Sequence, residues 1–233
     1  MKGFFITGTD TGVGKTIIAG ALIKVLCFLG LKTAAMKPVE SGCAREGKIL
    51  IPSDGMFLKQ MAQMQGPVTQ VTPCCFESPL APFPASDLEK KSISIAEIKK
   101  AFYSLYTHYN AVIVEGIGGL MVPLRENYFV VDLAKQMELP LVVVAKPGLG
   151  SINHTMLTVH CALKEGLKVA GVIINYSHPP ESSLAEETNP QLLKQICPAP
   201  LIGIFPYLKN REGQVLEKTA LKYFDLEVIK KYL

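Results

Sequence analysis

Short runs of consecutive apolar residues alternate along this chain with longer segments whose apolar residues recur every three or four positions. The first pattern is typical of parallel strands buried on both faces, and the second of amphipathic helices. The predicted strands are 3–7, 31–36, 111–114, 141–145, 169–175 and 201–205, and the predicted helices are 17–29, 56–64, 95–106, 128–137, 152–166 and 216–233. This alternation indicates an α/β fold, with a mostly parallel sheet covered by helices on both faces.

The segment from 66 to 86 breaks the alternation, because it contains five prolines. Proline lacks a backbone N–H and disrupts helices and central strands, so we expect a long surface segment without regular structure here. Elsewhere the sequence has no internal repeat, linker or low-complexity tract. We therefore predict one domain spanning residues 1–233, whose 48% hydrophobic content suffices for a substantial core.

A glycine-rich segment, residues 8–16 with the sequence GTDTGVGKT, joins the first predicted strand to the first predicted helix. This order is the context of a phosphate-binding loop (P-loop), in which backbone amides and the helix N-terminus face phosphate oxygens. Lys15 would reach the β- and γ-phosphates, and the Thr16 hydroxyl would bind Mg²⁺. Five residues separate Gly8 from Gly14 where four are usual, and an ordinary glycine-rich turn is the alternative interpretation. The residues expected to bind the nucleotide are Asp10, Thr11, Gly12, Val13, Gly14, Lys15 and Thr16.

Polar residues follow several predicted strands at the point where each strand ends. Lys37 and Ser41 follow the second strand, Glu115 follows the strand at 111–114, and a polar turn at 146–154 follows the strand at 141–145. Parallel α/β sheets bind ligands at the carboxyl ends of their strands. We therefore expect these residues to share one crevice with the P-loop.

Each of these candidates also has a structural interpretation. Glu115 is either a metal-binding carboxylate or a solvated strand end, and Lys37 is either a functional residue or a surface lysine. Asp54 either binds Mg²⁺ or caps the helix that follows it. Asn153 and Asn175 could each be satisfied locally, by the backbone of a helix start or of a turn.

The composition narrows the class of protein. A net charge of +4, spread along the chain, is too small to indicate nucleic-acid binding. The six cysteines form no C-x-x-C pair and have no histidine neighbours at metal-binding spacing, which argues against a zinc site. No charged and apolar leader opens the sequence, and it contains no run of about 18 apolar residues. We therefore expect a soluble, cytoplasmic protein that does not bind membranes.

Five motifs occur in order, namely residues 8–16, KPVESG at 37–42, VEGIGG at 114–119, GLGSINHT at 148–155 and PAPLIG at 198–203. Together they closely resemble the dethiobiotin synthetase family, and the resemblance extends from residue 3 to about residue 208. The glycine-rich loop with Thr-Asp-Thr is much more specific than a general P-loop motif. The resemblance implies a homodimer with a P-loop-containing fold and a parallel sheet of about seven strands.

Members of that family are ATP-dependent enzymes of biotin synthesis. They convert 7,8-diaminononanoate (7,8-diaminopelargonate), CO₂ and MgATP into dethiobiotin, ADP and phosphate. A carbamate formed from one amine and CO₂ attacks the γ-phosphate, and the second amine then closes the ureido ring on the mixed anhydride. The resemblance therefore implies a cyclo-ligase that requires Mg²⁺ and has ATP as its co-substrate.

The resemblance also implies roles for individual residues. Lys15 and Lys37 would flank the γ-phosphate and the carbamate, and Thr11 and Ser41 would donate hydrogen bonds to them. The implied Mg²⁺ ligands are Thr16, Asp54 and Glu115. Further implied nucleotide contacts are Glu115, Gly118 and Asn175, the last at the adenine. The implied substrate-binding residues are Lys37, Ser41, Gly118, Gly150, Ser151, Ile152 and Asn153, the last four from the partner subunit.

The chain departs from the family pattern at Gly12, where an acidic residue is common, and at Leu80, where Ser-Pro-His is usual. The sequence beyond Leu208 also diverges. The alternative function is a positioning or partitioning ATPase, in which nucleotide drives a dimer switch. Those proteins carry a second lysine where this chain has Asp10, which favours the enzyme.

Overall fold

The computed structural model describes residues 2–233. The strands are β1 Gly3–Gly8, β2 Thr33–Met36, β3 Val39–Glu40, β4 Ala44–Glu46, β5 Ile49–Ile51, β6 Cys74–Cys75, β7 Ala111–Glu115, β8 Pro123–Arg125, β9 Tyr128–Phe129, β10 Leu141–Ala145, β11 Val169–Asn175 and β12 Leu201–Phe205. The helices are α1 Lys15–Phe28, α2 Ser53–Met61, α3 Pro82–Glu89, α4 Ile95–His108, α5 Val130–Met137, α6 Ser151–Lys164, α7 Leu184–Ile196, α8 Gly213–Tyr223 and α9 Leu226–Lys230.

Six strands form one parallel sheet in the order β12-β11-β10-β1-β7-β2. Every residue of β1, β7, β10 and β11 is buried. Because successive residues of a strand face opposite sides, both faces of the sheet are covered. The predicted α/β class is therefore confirmed, although the sheet has one strand fewer than the resemblance implied.

The middle of the sheet brings three strand ends together. β1 pairs with β10 on one side and with β7 on the other, where Ile6 lies opposite Glu115. β2 pairs with the far side of β7, with Met36 opposite Val114, and so places Lys37 at the same edge. The strand order reverses at β1, and sheets of this kind bind ligands at such a point.

The proline-rich segment is more regular than the sequence predicted. It contains a 3₁₀ turn at Val68–Gln70, the strand β6, which pairs with β3, and the start of α3. Pro82 occupies the start of α3, where a missing N–H removes no intrahelical hydrogen bond. The expectation of no regular structure between 66 and 86 was therefore wrong.

Helix α7 was not predicted, because Pro190 and several polar residues interrupt its apolar pattern. Pro190 cannot donate to the carbonyl oxygen of Glu186, and the Tyr176 hydroxyl lies 3.5 Å from that oxygen instead. Element ends also differ from the prediction: α2 begins at Ser53, and Tyr128–Phe129 form β9 instead of the first turn of α5. The predicted last helix is divided into α8 and α9.

No helix within residues 2–233 is long and apolar enough to cross a membrane. All six cysteines are free thiols.

Candidate active site

A cavity of about 620 Å³ lies at the carboxyl ends of β1, β2, β7 and β11. A cavity of this size is typical of small-molecule sites. Residues far apart in the sequence converge on it, as the strand-end rule predicted. The predicted site residues that line it are Thr11, Gly12, Gly14, Lys15, Thr16, Lys37, Ser41, Asp54, Glu115, Gly118 and Asn175.

Hydrogen bonds from Lys15 and Asn175 help to hold the P-loop in place. Lys15 Nζ donates to the carbonyl oxygen of Asp10 at 3.2 Å, which keeps the ammonium against its own loop. The buried Asn175 amide donates to the carbonyl oxygen of Val13 at 2.8 Å. Gly14 has a φ of 87°, and an added Cβ would lie 2.1 Å from Nδ2 of Asn175. Glycine is therefore required at position 14 both for the backbone conformation and for the close approach.

Lys37 and Glu115 form a buried ion pair beside the P-loop. Lys37 Nζ lies 2.6 Å from Oε1 of Glu115 and 3.2 Å from Oδ2 of Asp54. The Thr16 hydroxyl donates to the same Glu115 oxygen at 3.0 Å. The side chains of Lys37 and Glu115 are only 4% and 1% exposed. Lys37 is therefore not a surface lysine, and Glu115 is not a solvated strand end.

Electrostatics favour a charged ammonium at Lys37. Burial alone would lower the pKa of Lys37, but the carboxylates of Glu115 and Asp54 raise it above its usual value. Burial raises the pKa of Glu115, and the Lys37 charge opposes that change. Burial also lowers the pKa of Lys15 to about 8, with the Lys37 ammonium acting in the same direction. A bound phosphate would favour the charged form of Lys15, because an opposite charge nearby raises the pKa of an amine.

Glu40 is a cavity residue that sequence reasoning missed. It is 4% exposed, and its carboxylate accepts hydrogen bonds from the backbone amides of Asp54 and Gly55 at the start of α2. Asp54 therefore does not cap this helix, and its side chain is 39% exposed and faces Lys37. The sequence did contain a signal for Glu40, which is the acidic residue between Val39 and Ser41 in KPVESG. An acidic residue close to a lysine of the predicted site is a candidate ion partner.

The donor set of Thr16, Asp54 and Glu115 fits Mg²⁺. The described residues contain no group of three or more His, Cys, Asp or Glu side chains that could hold a metal ion. Two carboxylates and a hydroxyl nevertheless line one cavity, and Mg²⁺ prefers oxygen ligands completed by phosphate and water. Oε2 of Glu115 is buried and has no hydrogen-bond partner within residues 2–233. That oxygen remains available to a cation.

The predicted substrate turn at 150–153 does not line the cavity of its own chain. Gly150 precedes α6, the buried Ser151 donates to the carbonyl oxygen of Lys146, and Asn153 is exposed. The Asn189 amide donates to two carbonyl oxygens of the preceding turn, at 2.9 and 2.8 Å. The structure therefore separates the turn at 150–153, which consists of Gly150, Ser151, Ile152 and Asn153, from the other predicted site residues. Asp10 and Val13 belong to the P-loop but do not line the cavity.

Residues that follow β11 and β12 form a wall of the cavity that was not predicted. The two stretches begin directly after Asn175 and Phe205, so the rule that ligands bind at strand ends could have found most of them. They are Tyr176, Ser177, His178, Pro206, Tyr207, Leu208 and Arg211.

Known proteins with similar sequences cover nearly the whole chain. A family model described as "AAA domain" matches residues 2–214. The protein named ATP-dependent dethiobiotin synthetase in Thermodesulfovibrio yellowstonii is 45% identical over 97% of this chain and 98% of its own length. Proteins of the same name are 41% identical in Bacillus velezensis, over 97% of this chain and 95% of theirs, and in Bacillus subtilis, over 98% and 97%.

Solved structures share the fold at low sequence identity. The septum site-determining protein MinD of Pyrococcus horikoshii, complexed with Mg-ADP, matches with a TM-score of 0.55 and 15% identity over 94% of this chain and 95% of that one. A ParA family ATPase from Chlorobium tepidum matches with a TM-score of 0.52 and 13% identity, over 99% and 92%. These similarities show the P-loop α/β fold and carry no statement about activity.

Proposed function

Because the chain belongs to the dethiobiotin synthetase family, we propose that it uses ATP and CO₂ to carboxylate 7,8-diaminononanoate and to close the ureido ring of dethiobiotin. It is then an ATP-dependent cyclo-ligase of biotin biosynthesis, and its other products are ADP and phosphate. The observation that carries this proposal is that one cavity is lined by residues from three different strand ends, namely Lys15, Lys37 and Glu115.

The proposed reaction has two bond-forming steps after the first amine takes up CO₂ and loses a proton. An oxygen of the carbamate attacks the γ-phosphorus and displaces ADP, which gives a mixed carbamic–phosphoric anhydride. The second amine then attacks the carbamoyl carbon, loses a proton and releases phosphate. Both steps place negative charge on phosphoryl or carbamate oxygens, so fixed cations and hydrogen-bond donors supply the catalysis.

The two lysines supply those cations in different ways. Lys15 belongs to the first turn of α1 and acts with the P-loop amides on the β- and γ-phosphates. Lys37 is held by Glu115 and Asp54, so its ammonium is already oriented before the carbamate arrives. Thr11 and Ser41 line the same cavity and donate hydrogen bonds to phosphate and carbamate oxygens.

Thr16, Asp54 and Glu115 would hold Mg²⁺, whose chemistry is to neutralise charge on the β- and γ-phosphate oxygens. The Asn175 amide already donates to the carbonyl oxygen of Val13. Its carbonyl Oδ1 is then the atom that accepts a hydrogen bond from the adenine amino group, while Tyr176 and Tyr207 offer apolar ring surface.

The decisive assay is ADP release by the purified protein with MgATP, with and without the diamine and bicarbonate. We expect release to require both compounds and the product to have the mass of dethiobiotin. ATP hydrolysis that is indifferent to the diamine, together with nucleotide-dependent dimerisation, would instead support the positioning or partitioning ATPase.

Asp54→Asn is expected to raise the Mg²⁺ concentration needed for half-maximal turnover, because a neutral amide is a poorer ligand for a hard cation. The free energy of unfolding should change little, since Glu40 and not Asp54 caps α2 and the Lys37 ammonium keeps its ion pair with Glu115. Glu115→Gln should shift the Mg²⁺ titration in the same direction. Loss of stability in Asp54→Asn with an unchanged Mg²⁺ titration contradicts the proposed metal role.

We also propose that the protein is a homodimer whose partner subunit completes the substrate site. The turn at 148–155 is displaced from the cavity of its own chain and carries Leu149, which is 96% exposed. Leu157 on α6 and Leu184 on α7 are 62% and 79% exposed. Large apolar side chains exposed near a polar turn are consistent with an interface between copies of a chain. The α6 N-terminus and Asn153 would then bind the diamine carboxylate.

Mixing two impaired variants, at a diamine concentration too low for Asn153→Ala to turn over, tests the shared site. Asn153→Ala should raise the KM for the diamine and leave ATP affinity nearly unchanged, and Lys15→Ala should abolish turnover. Random exchange makes about half of the dimers hybrids, each with one intact site of two, so activity should return to about a quarter of the parent. If mass spectrometry confirms exchange and the mixture stays inactive, both halves of the site belong to one chain.

We also expect a single domain over residues 1–233, a cytoplasmic location, no nucleic-acid partner and no membrane partner. The mild net charge of +4 supports the absence of a nucleic-acid partner. Cell fractionation and limited proteolysis test the location and the domain prediction.

A further inference from the structure

The carboxylate of Glu40 holds the first turn of α2. Its Oε1 accepts hydrogen bonds from the Asp54 amide at 2.9 Å and the Ser53 hydroxyl at 3.3 Å, and its Oε2 accepts one from the Gly55 amide at 3.0 Å. Pro52, the residue before the helix, offers no side-chain acceptor. Glu40 therefore caps a helix that begins 13 residues later in the sequence, so this cap depends on the tertiary fold.

Both sides of this contact are fixed. Glu40 belongs to β3, which pairs with β6, and its carbonyl oxygen accepts the Phe76 amide at 2.8 Å. On the other side, Gly55 packs so closely that an added Cβ would lie 1.9 Å from Oγ1 of Thr72. The first turn of α2 is therefore held in one position relative to β3.

That position determines where the Asp54 carboxylate lies, because the Asp54 amide is one of the groups that Glu40 binds. Oδ2 of Asp54 is 3.2 Å from Nζ of Lys37, beside Glu115. A serine or aspartate directly before the helix would satisfy the same amides without a buried carboxylate in the cavity. We propose that Glu40 is a positioning residue that fixes Asp54 for Mg²⁺ binding, an inference that rests on the Mg²⁺ role proposed for Asp54 above.

Binding of Mn²⁺ to the ADP complex, followed by electron paramagnetic resonance, tests this without turnover. Glu40→Gln keeps the size of the side chain but replaces one acceptor oxygen with an amide donor, which would face the backbone N–H groups of α2. We expect the Mn²⁺ affinity of the ADP complex to fall about 10-fold. The Mg²⁺ concentration for half-maximal turnover should rise by a similar factor, with little change in kcat at saturating Mg²⁺.

Ser94→Ala is the matched control, because Ser94 caps α4 by accepting the Glu97 amide at 3.2 Å, away from the cavity. It should lower the unfolding temperature without changing the Mn²⁺ affinity. A Glu40→Gln protein that behaves in the same way overturns the proposal, since Glu40 is then only a helix cap.

A second variant covers the case in which Glu40→Gln does not fold. Glu40→Asp keeps the charge but is too short to reach both amides, so the same loss of Mn²⁺ affinity is expected, and parental affinity contradicts the proposal. Asp54→Asn should also lower that affinity, and an unchanged value removes the premise. A parent protein that binds ADP and Mn²⁺ but does not turn over the diamine contradicts the proposed function alone.

Discussion

Lys15→Ala is expected to lower steady-state turnover by at least about 10²-fold while leaving the fold intact. The Lys15 ammonium is buried in the P-loop and lies 3.2 Å from the carbonyl oxygen of Asp10. Its removal takes away a cation that lies against the P-loop, where charge on the transferred phosphoryl group must be stabilised. ADP release in the presence of diamine and bicarbonate measures the loss, and the unfolding temperature reports on the fold.

Lys24→Ala is the control for charge removal from the same helix. Lys24 belongs to α1 but does not line the cavity, so parental turnover is expected. Turnover of Lys15→Ala within about threefold of the parent would rule out the assigned role, because removal of a charge that stabilises the transition state lowers kcat by much more.

Lys37→Met is expected to lower the free energy of unfolding by about 3–5 kcal/mol as well as to inactivate the protein. The substitution leaves Glu115, whose side chain is 1% exposed, without the ammonium that lies 2.6 Å from it. Urea denaturation measures the loss. Because burial raises the pKa of Glu115, the loss should be largest where the carboxylate is ionised and should shrink as the pH falls and Glu115 takes up a proton.

The double variant Lys37→Met with Glu115→Gln identifies the cause of that loss. Removing both charges should recover most of the stability but none of the activity, since no unpaired charge remains buried. Lys135→Met, which breaks an exposed ion pair with Glu165, should leave stability nearly unchanged. Equal stability of the single and double variants at neutral pH would show that poorer packing, and not the unpaired carboxylate, causes the destabilisation.

The sequence predicted about half of the residues that line the cavity, because these residues lie next to apolar strands. Lys37 directly follows β2, Glu115 ends β7 and Lys15 follows the loop after β1, and parallel strands bring such positions to one edge. The strands at 141–145, 169–175 and 201–205 have the predicted bounds, because each is a short, mainly apolar run with turn residues on both sides.

The parts of the fold and of the site that were not predicted depend on tertiary contacts, which a local sequence pattern does not indicate. Glu40 acts on α2 through hydrogen bonds across 14 and 15 positions, whereas a cap recognised from sequence directly precedes its helix. α3 and α7 both contain prolines, and composition alone does not distinguish a proline in the first turn, such as Pro82, from one that breaks a helix. The turn at 150–153 was expected in the cavity because it follows the strand at 141–145, and only the fold shows that it lies apart from the cavity of its own chain.

The hydrogen bond from Asn175 to Val13 joins the end of β11 to the loop in front of α1. Asn175 and the residues after it form the cavity wall assigned to the base, whereas Val13 belongs to the segment assigned to the phosphates. We therefore expect a nucleotide that shifts the Asn175 side chain also to shift the Val13 carbonyl group and the peptide amide next to it. Selection of the base and affinity for the triphosphate are then thermodynamically coupled, and substitutions at the two ends should have non-additive effects on nucleotide binding.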